Sequence, residues 1–221
     1  MIADDIRWDE YHKKIHHPEE LHSNYAEEKE KFFPRGSMIA ELGGGTGADA
    51  LYFLKKGHSV VLFDISEFAL KIAKEKSVKV GLSEKLATRK VDFGLHQLPI
   101  KENSIDIVFS RISLNYFDAE HTKKLFRDIF FVLKPGGTAY LTFKSPDDIN
   151  EIEYFKNAGY EYEENVYIEN GQLRSRFTKA QLEKMLSGAE IASFDVNSIN
   201  EVLKANGHQT TLRLNEIVIR K

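Results

Sequence analysis

The feature that most constrains this chain is a run of four glycines in five residues, Gly43-Gly44-Gly45-Thr46-Gly47, set between two different periodicities. Before it, Met38-Ile39-Ala40-Glu41-Leu42 is an apolar run of strand length. After it, residues 48–56 place Leu51, Phe53 and Leu54 at helical spacing and stop at Gly57, a favourable helix end. Glycines between a strand and a helix let the backbone turn sharply and approach a ligand, with the free amides of the helix start aimed at it. A tight turn without a ligand is the plainer alternative. Four glycines would be a costly way to make only a turn, because each loses much conformational freedom on folding.

The alternation continues downstream. Residues 58–63 form an apolar strand pattern with Asp64 at its carboxyl end, and Ser66 can cap a helix carrying Phe68, Ala69, Ile72 and Ala73 on one face. Lys90-Val91-Asp92-Phe93 reads as a weak third strand and residues 105–109 as a clear fourth. Residues 119–133 are helical until Pro135, and Gly136-Gly137 turns the chain into a fifth strand at 138–143. Short apolar strands alternating with helices imply a parallel sheet covered on both faces. Residues 146–176 are polar and aromatic with no convincing period. A helix at 178–186 follows, then strands at 191–199 and 211–219 joined through Asn206-Gly207, a hairpin signal. The first three dozen residues read as two short helices broken near Pro18.

Composition narrows the function. With no cysteine among 221 residues, disulfides, thiolate metal sites and cysteine nucleophiles are excluded. Lys+Arg 31 against Asp+Glu 34 gives a net charge of -3, so no basic footprint for nucleic acid covers the whole chain. The acidic start Met-Ile-Ala-Asp-Asp is unlike a signal peptide, and the longest apolar runs, 60–63 and 129–133, fall far short of the ~20 residues of a membrane span. The expectation is one soluble, cytoplasmic domain over 1–221.

The two strand-end carboxylates suggest what the glycines hold. Asp64 lies about 20 residues past the first glycine, where an ionised carboxylate can accept from both hydroxyls of a ribose. Asp92 can take the exocyclic amine of an adenine, unless it is merely a turn residue, and Ile65 offers an apolar surface to the base. The loop, Asp64 and Asp92 thus describe an adenosine pocket at the carboxyl edge of a parallel sheet.

Taken together, Glu41 to Gly47, Asp64-Ile65-Ser66, Val91-Asp92-Phe93, Leu98-Pro99, Ile105-Asp106-Ile107-Val108 and Leu133-Lys134-Pro135-Gly136-Gly137 resemble the successive motifs of class I S-adenosylmethionine-dependent methyltransferases. The resemblance covers roughly residues 37–145, and Phe177 to Leu182 is similar to small-molecule enzymes of that family. It implies an α/β, Rossmann-like doubly wound sheet, mostly parallel, with a C-terminal antiparallel hairpin and helices on both faces. It also implies S-adenosyl-L-methionine as cofactor. Glu41 would hold the methionine ammonium, with the backbone of Gly43, Gly45 and Gly47 against the methionine and ribose. Asp64 would bind the ribose, Ile65 would pack on adenine, and Asp92 with the Phe93 amide would read its edge. The backbone near Ser110 would meet the methionine end, under a helical lid in 1–36 carrying Trp8 and Tyr11, and residues 146–177 would be a substrate-side insertion.

Methyl transfer needs alignment more than a fixed catalytic group, so the absence of a triad is expected. Lack of cysteine demotes cytosine C5 chemistry, and Arg111-Ile112-Ser113-Leu114 replaces the Pro-Pro-aromatic motif of nucleic-acid amino methylation, which leaves a small molecule as the expected acceptor. Candidate acceptor-side residues are Arg111, Asn115, Tyr116 and Lys144, which follow strand ends. For these, Tyr116 packing and Arg111 pairing with a surface carboxylate are the alternatives. No metal is expected: His12 and His16 read as a solvated helix face. An NAD(P)-dependent oxidoreductase would explain the glycines and Asp64 but not Asp92, the Lys-Pro-Gly-Gly turn or the hairpin. A cofactor-binding module without turnover is the other competing class.

Overall fold

The computed structural model describes residues 4–18, 20–191, 193–205 and 208–221. In chain order its elements are α1 (Asp4–Ile15), α2 (Asn24–Glu30), β1 (Met38–Leu42), α3 (Ala48–Lys55), β2 (Ser59–Asp64) and α4 (Glu67–Lys79). There follow β3 (Leu86–Lys90), β4 (Ile105–Arg111), α5 (Ala119–Val132), β5 (Leu133–Lys144) and α6 (Ile149–Ala158). The chain ends with β6 (Tyr160–Glu163), β7 (Val166–Glu169), β8 (Gln172–Ser175), α7 (Lys179–Gly188), β9 (Phe194–Ala205) and β10 (His208–Arg220). No helix among the described residues is long and apolar enough to cross a membrane.

Seven strands make one sheet in the order β3-β2-β1-β4-β5-β10-β9, parallel except where β10 runs antiparallel to β5 and β9. The strand order reverses between β1 and β4, and the crevice at their carboxyl ends is where ligands of such sheets sit. Alternation along the strands fills two cores. Ile39, Leu62 and Phe109 face Phe53, Leu54 and Leu70 of α3 and α4, while Ala40, Phe63 and Val108 face Phe126, Ile129 and Leu186 of α5 and α7. Ile105 and Val108 share a face despite odd spacing because the β4–β5 register shifts between Ile105 and Ile107.

Three features differ from the pattern reading. The third strand ends at Lys90, not Phe93, so Asp92 and Phe93 stand in the loop beyond it. The stretch without a period holds α6, capped by the Asp148 carboxylate, and a separate antiparallel sheet in the order β6-β7-β8. The hairpin is also longer than expected. β10 pairs with β5 only from Leu214 to Arg220, while its pairing with β9 continues to His208, so its far end overhangs the carboxyl edge of the sheet. Asn206-Gly207 itself lies outside the described residues.

Gly47 is the N-cap of α3 at φ 75, and a Cβ there would lie 2.7 Å from the Ala73 Cβ of α4. Gly47→Ala therefore combines left-handed strain with overpacking and is expected to cost about 2–4 kcal/mol. A urea-unfolding midpoint equal to that of the parent chain would contradict this.

Candidate cofactor and acceptor site

The glycine loop is tied to the end of β2. Gly43 N–H donates to the Phe63 carbonyl at 2.7 Å, and Gly45 N–H donates to Asp64 Oδ2 at 2.8 Å. The other Asp64 oxygen accepts from Ser66 N–H at 2.8 Å, while the Ser66 hydroxyl caps α4. Asp64 is thus a buried carboxylate in a fixed orientation, one edge on the loop and one on the helix start. Burial pushes its carboxyl above the usual range against the opposing pull of the Ser66 amide and of His12.

Two cavities open from this loop. The first, of about 440 Å³, is lined by Asp64, Ile65, Asp92 and Phe93 on one side and by Trp8, Tyr11, Arg111 and Tyr116 on the other. The second, of about 1310 Å³, is lined by Glu41, Gly43, Gly45, Asp49 and Glu20. His12, Gly43 and Arg111 belong to both. His12, expected on a solvated face, instead lies over Gly45, its Cε1 2.9 Å from where a Cβ would stand. The missing side chain leaves a hollow over bare peptide, and α1 reaches into it. Burial lowers the pKa of this imidazole, with Asp64, Glu20 and Asp9 opposing.

In the wall of the first cavity, Asp92 Oδ1 accepts from Gly94 N–H at 2.8 Å, and His121 Nε2 lies 2.7 Å from the Phe93 carbonyl with its ring stacked on Phe117. The second cavity is acidic. Glu41 is 3% exposed and its Oε2 has no hydrogen-bond partner, and its carboxyl lies well above the usual range because of burial and the charges of Asp49, Asp64 and Glu20. Asp49 accepts from the Ser23 amide at 2.6 Å and the Ser23 hydroxyl at 2.9 Å, yet burial still raises its pKa. An unpaired buried carboxylate oxygen among further acids is a site for a cation. The donor set therefore fits S-adenosylmethionine: a positive amino-acid end toward Glu41, ribose hydroxyls at Asp64, and a flat base between Ile65 and the Asp92–Phe93 loop.

The acceptor-side candidates separate. Arg111 lines both cavities, but its guanidinium is paired with Glu201 of β9, Nη2 to Oε2 at 2.8 Å and Nε to the two oxygens at 2.9 and 3.1 Å. Tyr116 lines the first cavity, and burial raises its phenol pKa so that the hydroxyl stays protonated. Asn115 lines neither cavity, since its Oδ1 accepts from Lys144 N–H at 2.8 Å. Lys144 is drawn away too, its ammonium 2.6 Å from Glu151 of α6. Gly47 and Ser110 also line neither: Gly47 packs on α4, and the Ser110 hydroxyl donates to the Leu42 carbonyl at 3.0 Å. Between them, Ile112 sits at φ 48, a strained position for a β-branched residue, held by the Thr142 carbonyl and hydroxyl.

His121, Gln172 and Leu173 line the first cavity without having been singled out, and His12 lines it although expected on a solvated face. His12 had a legible signal, standing four residues after Trp8 beside Tyr11 on one helix face. Gln172 and Leu173, on a four-residue strand, had none.

A family model described as a methyltransferase domain matches residues 39–137. The chain is similar to "O-methyltransferase 3" of Dictyostelium discoideum, 27% identical over 149 residues that cover 65% of this chain and 34% of that protein. It is also similar to the ubiquinone/menaquinone biosynthesis C-methyltransferase UbiE of Photorhabdus laumondii, 35% identical over 117 residues, 51% of this chain and 45% of that one. The chain thus spans less than half the length of these curated relatives. Among solved structures, the Burkholderia thailandensis 1,6-didemethyltoxoflavin-N1-methyltransferase, with bound 1,6-didemethyltoxoflavin and S-adenosylhomocysteine, aligns with a TM-score of 0.71 at 17% identity, covering 99% of this chain and 85% of that one. At that identity the likeness is one of fold.

Proposed function

We propose that the chain, whose residues 39–137 match a methyltransferase-domain model, is a class I S-adenosylmethionine-dependent methyltransferase that moves a methyl group to a nucleophilic oxygen, nitrogen or sulfur of a small molecule by in-line displacement. The observation that carries this reading is the unpartnered Glu41 oxygen buried behind the glycine loop, with Asp64 fixed beside it. S-adenosylmethionine supplies a methyl group already activated by its sulfonium. The chain's own residues bind, orient and exclude water. Glu41 attracts the ammonium, Asp64 accepts from the ribose, and Ile65 and Phe93 flank the base. Holding acceptor and methyl donor in line accounts for most of the rate, on the order of 7–11 kcal/mol for well-aligned reactants.

The proposal extends to organisation: one domain over 1–221, a lid in 1–36 and a substrate-side insertion in 146–177. In support, Trp8, Tyr11 and His12 of α1 and Gln172 and Leu173 of β8 line the first cavity. Titration calorimetry with S-adenosylhomocysteine and, separately, NADH tests the reading, with binding of the first alone expected. Stabilisation by NADH without a response to S-adenosylhomocysteine would favour an oxidoreductase.

Glu41 makes a sharper case. In the ligand-free chain its raised pKa means that burying the charged form opposes folding. That cost is fully present above the folded pKa and fades as pH falls toward the ordinary value of 4.5. Glu41→Gln is therefore expected to stabilise the free chain at neutral pH by on the order of 1 kcal/mol while weakening S-adenosylhomocysteine binding roughly tenfold. For the parent, binding of the cationic end should release protons, seen as a binding enthalpy that changes with the buffer's ionisation heat. A variant with lower stability and unchanged affinity would remove Glu41 from the site.

A further inference from the structure

We infer that the acceptor subsite takes a flat, uncharged aromatic ring, seated against the corner that Trp8 makes with Tyr11 and Tyr116 in the wall of the first cavity. The inference rests on the methyltransferase reading above and deepens it. Two observations carry it.

The first is the geometry of the walls. Trp8 meets Tyr11 edge-on with centroids 5.3 Å apart at 83°, and meets Tyr116 edge-on at 5.0 Å and 80°. Ile112 and Leu173 complete the apolar lining from two other elements. A corner of mutually perpendicular rings offers both faces and edges, the arrangement in which a further aromatic ring gains offset-stacked or edge contacts beyond its area burial.

The second is the charge count. Three charged groups around this corner, Arg111, Arg174 and Asp4, already have a partner of opposite sign. Arg111 is held by Glu201, and Arg174, which covers one face of Tyr116 at 5.1 Å, is held by Glu169 at 3.1 Å. Asp4, at the mouth, has Arg7 at 3.9 Å and the Gln172 amide at 3.4 Å. A carboxylate or phosphate on the acceptor would enter without a counter-charge, since both arginines are already paired, and a largely buried site penalises that heavily. Polar recognition is left to neutral groups of the lining, among them the Tyr116 and Tyr11 hydroxyls, neither hydrogen-bonded among the described residues, and the Gln172 carboxamide oxygen. These suit a ring hydroxyl, carbonyl or nitrogen.

The test uses the full chain saturated with S-adenosylhomocysteine and three matched probes: 2-naphthamide, its anionic counterpart 2-naphthoate, and the saturated decahydronaphthalene-2-carboxamide. Affinities are read by calorimetry, together with the emission of Trp8, the single tryptophan of the chain. The expected result is that 2-naphthamide binds at least tenfold more tightly than either analogue and perturbs Trp8. Leu173→Glu should weaken 2-naphthamide tenfold or more with S-adenosylhomocysteine affinity within twofold. Equal or stronger binding of the naphthoate or of the saturated ring, with S-adenosylhomocysteine bound normally, overturns the aromatic subsite alone. Failure of S-adenosylhomocysteine to bind overturns the methyltransferase reading beneath it.

Discussion

Asp64→Ala is expected to weaken S-adenosylhomocysteine binding by about 10- to 150-fold, the loss of 1.5–3 kcal/mol that follows when a charged hydrogen-bonding group is removed. The same change should destabilise the free chain, because it strands two buried amides, Gly45 N–H and Ser66 N–H, each now 2.8 Å from a carboxylate oxygen. Relief of burying a carboxyl whose pKa is already raised offsets part of that loss, so a net cost of about 1–3 kcal/mol is expected. Asp64→Asn separates the two effects. It keeps one oxygen for an amide, so it should retain more stability than alanine while losing most of the affinity. Calorimetry and urea unfolding on the pair of variants measure both, and undiminished affinity in Asp64→Ala would take the residue out of the binding site.

The second large effect lies outside the cavities. Glu151 accepts from Arg176 Nε at 2.6 Å and Nη2 at 3.1 Å, and from Lys144 Nζ at 2.6 Å. Arg176 is 4% exposed, so Glu151→Ala leaves a buried guanidinium without its counter-charge and is expected to cost about 3–5 kcal/mol. Burial alone would raise the Glu151 pKa, but the two cations outweigh it and hold it at about 2. A depressed folded pKa means that this stability is present above the ordinary value of 4.5 and is lost as pH falls toward 2, at most about 3 kcal/mol at ~1.4 kcal/mol per pH unit. The Glu151→Ala chain should therefore show a shallower acid limb than the parent when urea midpoints are followed from pH 7 to pH 3. Parallel limbs would mean that the triad contributes nothing to acid sensitivity. The triad also explains why Lys144, attractive at a strand end, lines neither cavity: α6 and the segment just after β8, elements not legible beforehand, bring Glu151 and Arg176 to it.

Legibility followed the range of the interaction. β1, β2, β4 and α5 announce themselves because five to fourteen neighbouring residues carry one period and the turn chemistry at their ends is local. β3 was displaced because its own residues, Leu86-Ala87-Thr88-Arg89-Lys90, are barely apolar, whereas Val91 and Phe93 are buried by α5 and the loop around Leu98 rather than by strand pairing. β6, β7 and β8 are four residues each, too short to show an alternation.

The glycine loop, the two aspartates after it and the alternation of strands and helices from β1 to β5 were determined by the sequence alone, because backbone turning and face alternation are decided by residues adjacent in the chain. Which charges stay available for a ligand was decided by the tertiary structure. Arg111 meets Glu201 across ninety positions, and His12 reaches Gly45 from another helix. A carboxylate or guanidinium is useful to a substrate only if no partner neutralises it, and the partner is chosen by where distant segments pack.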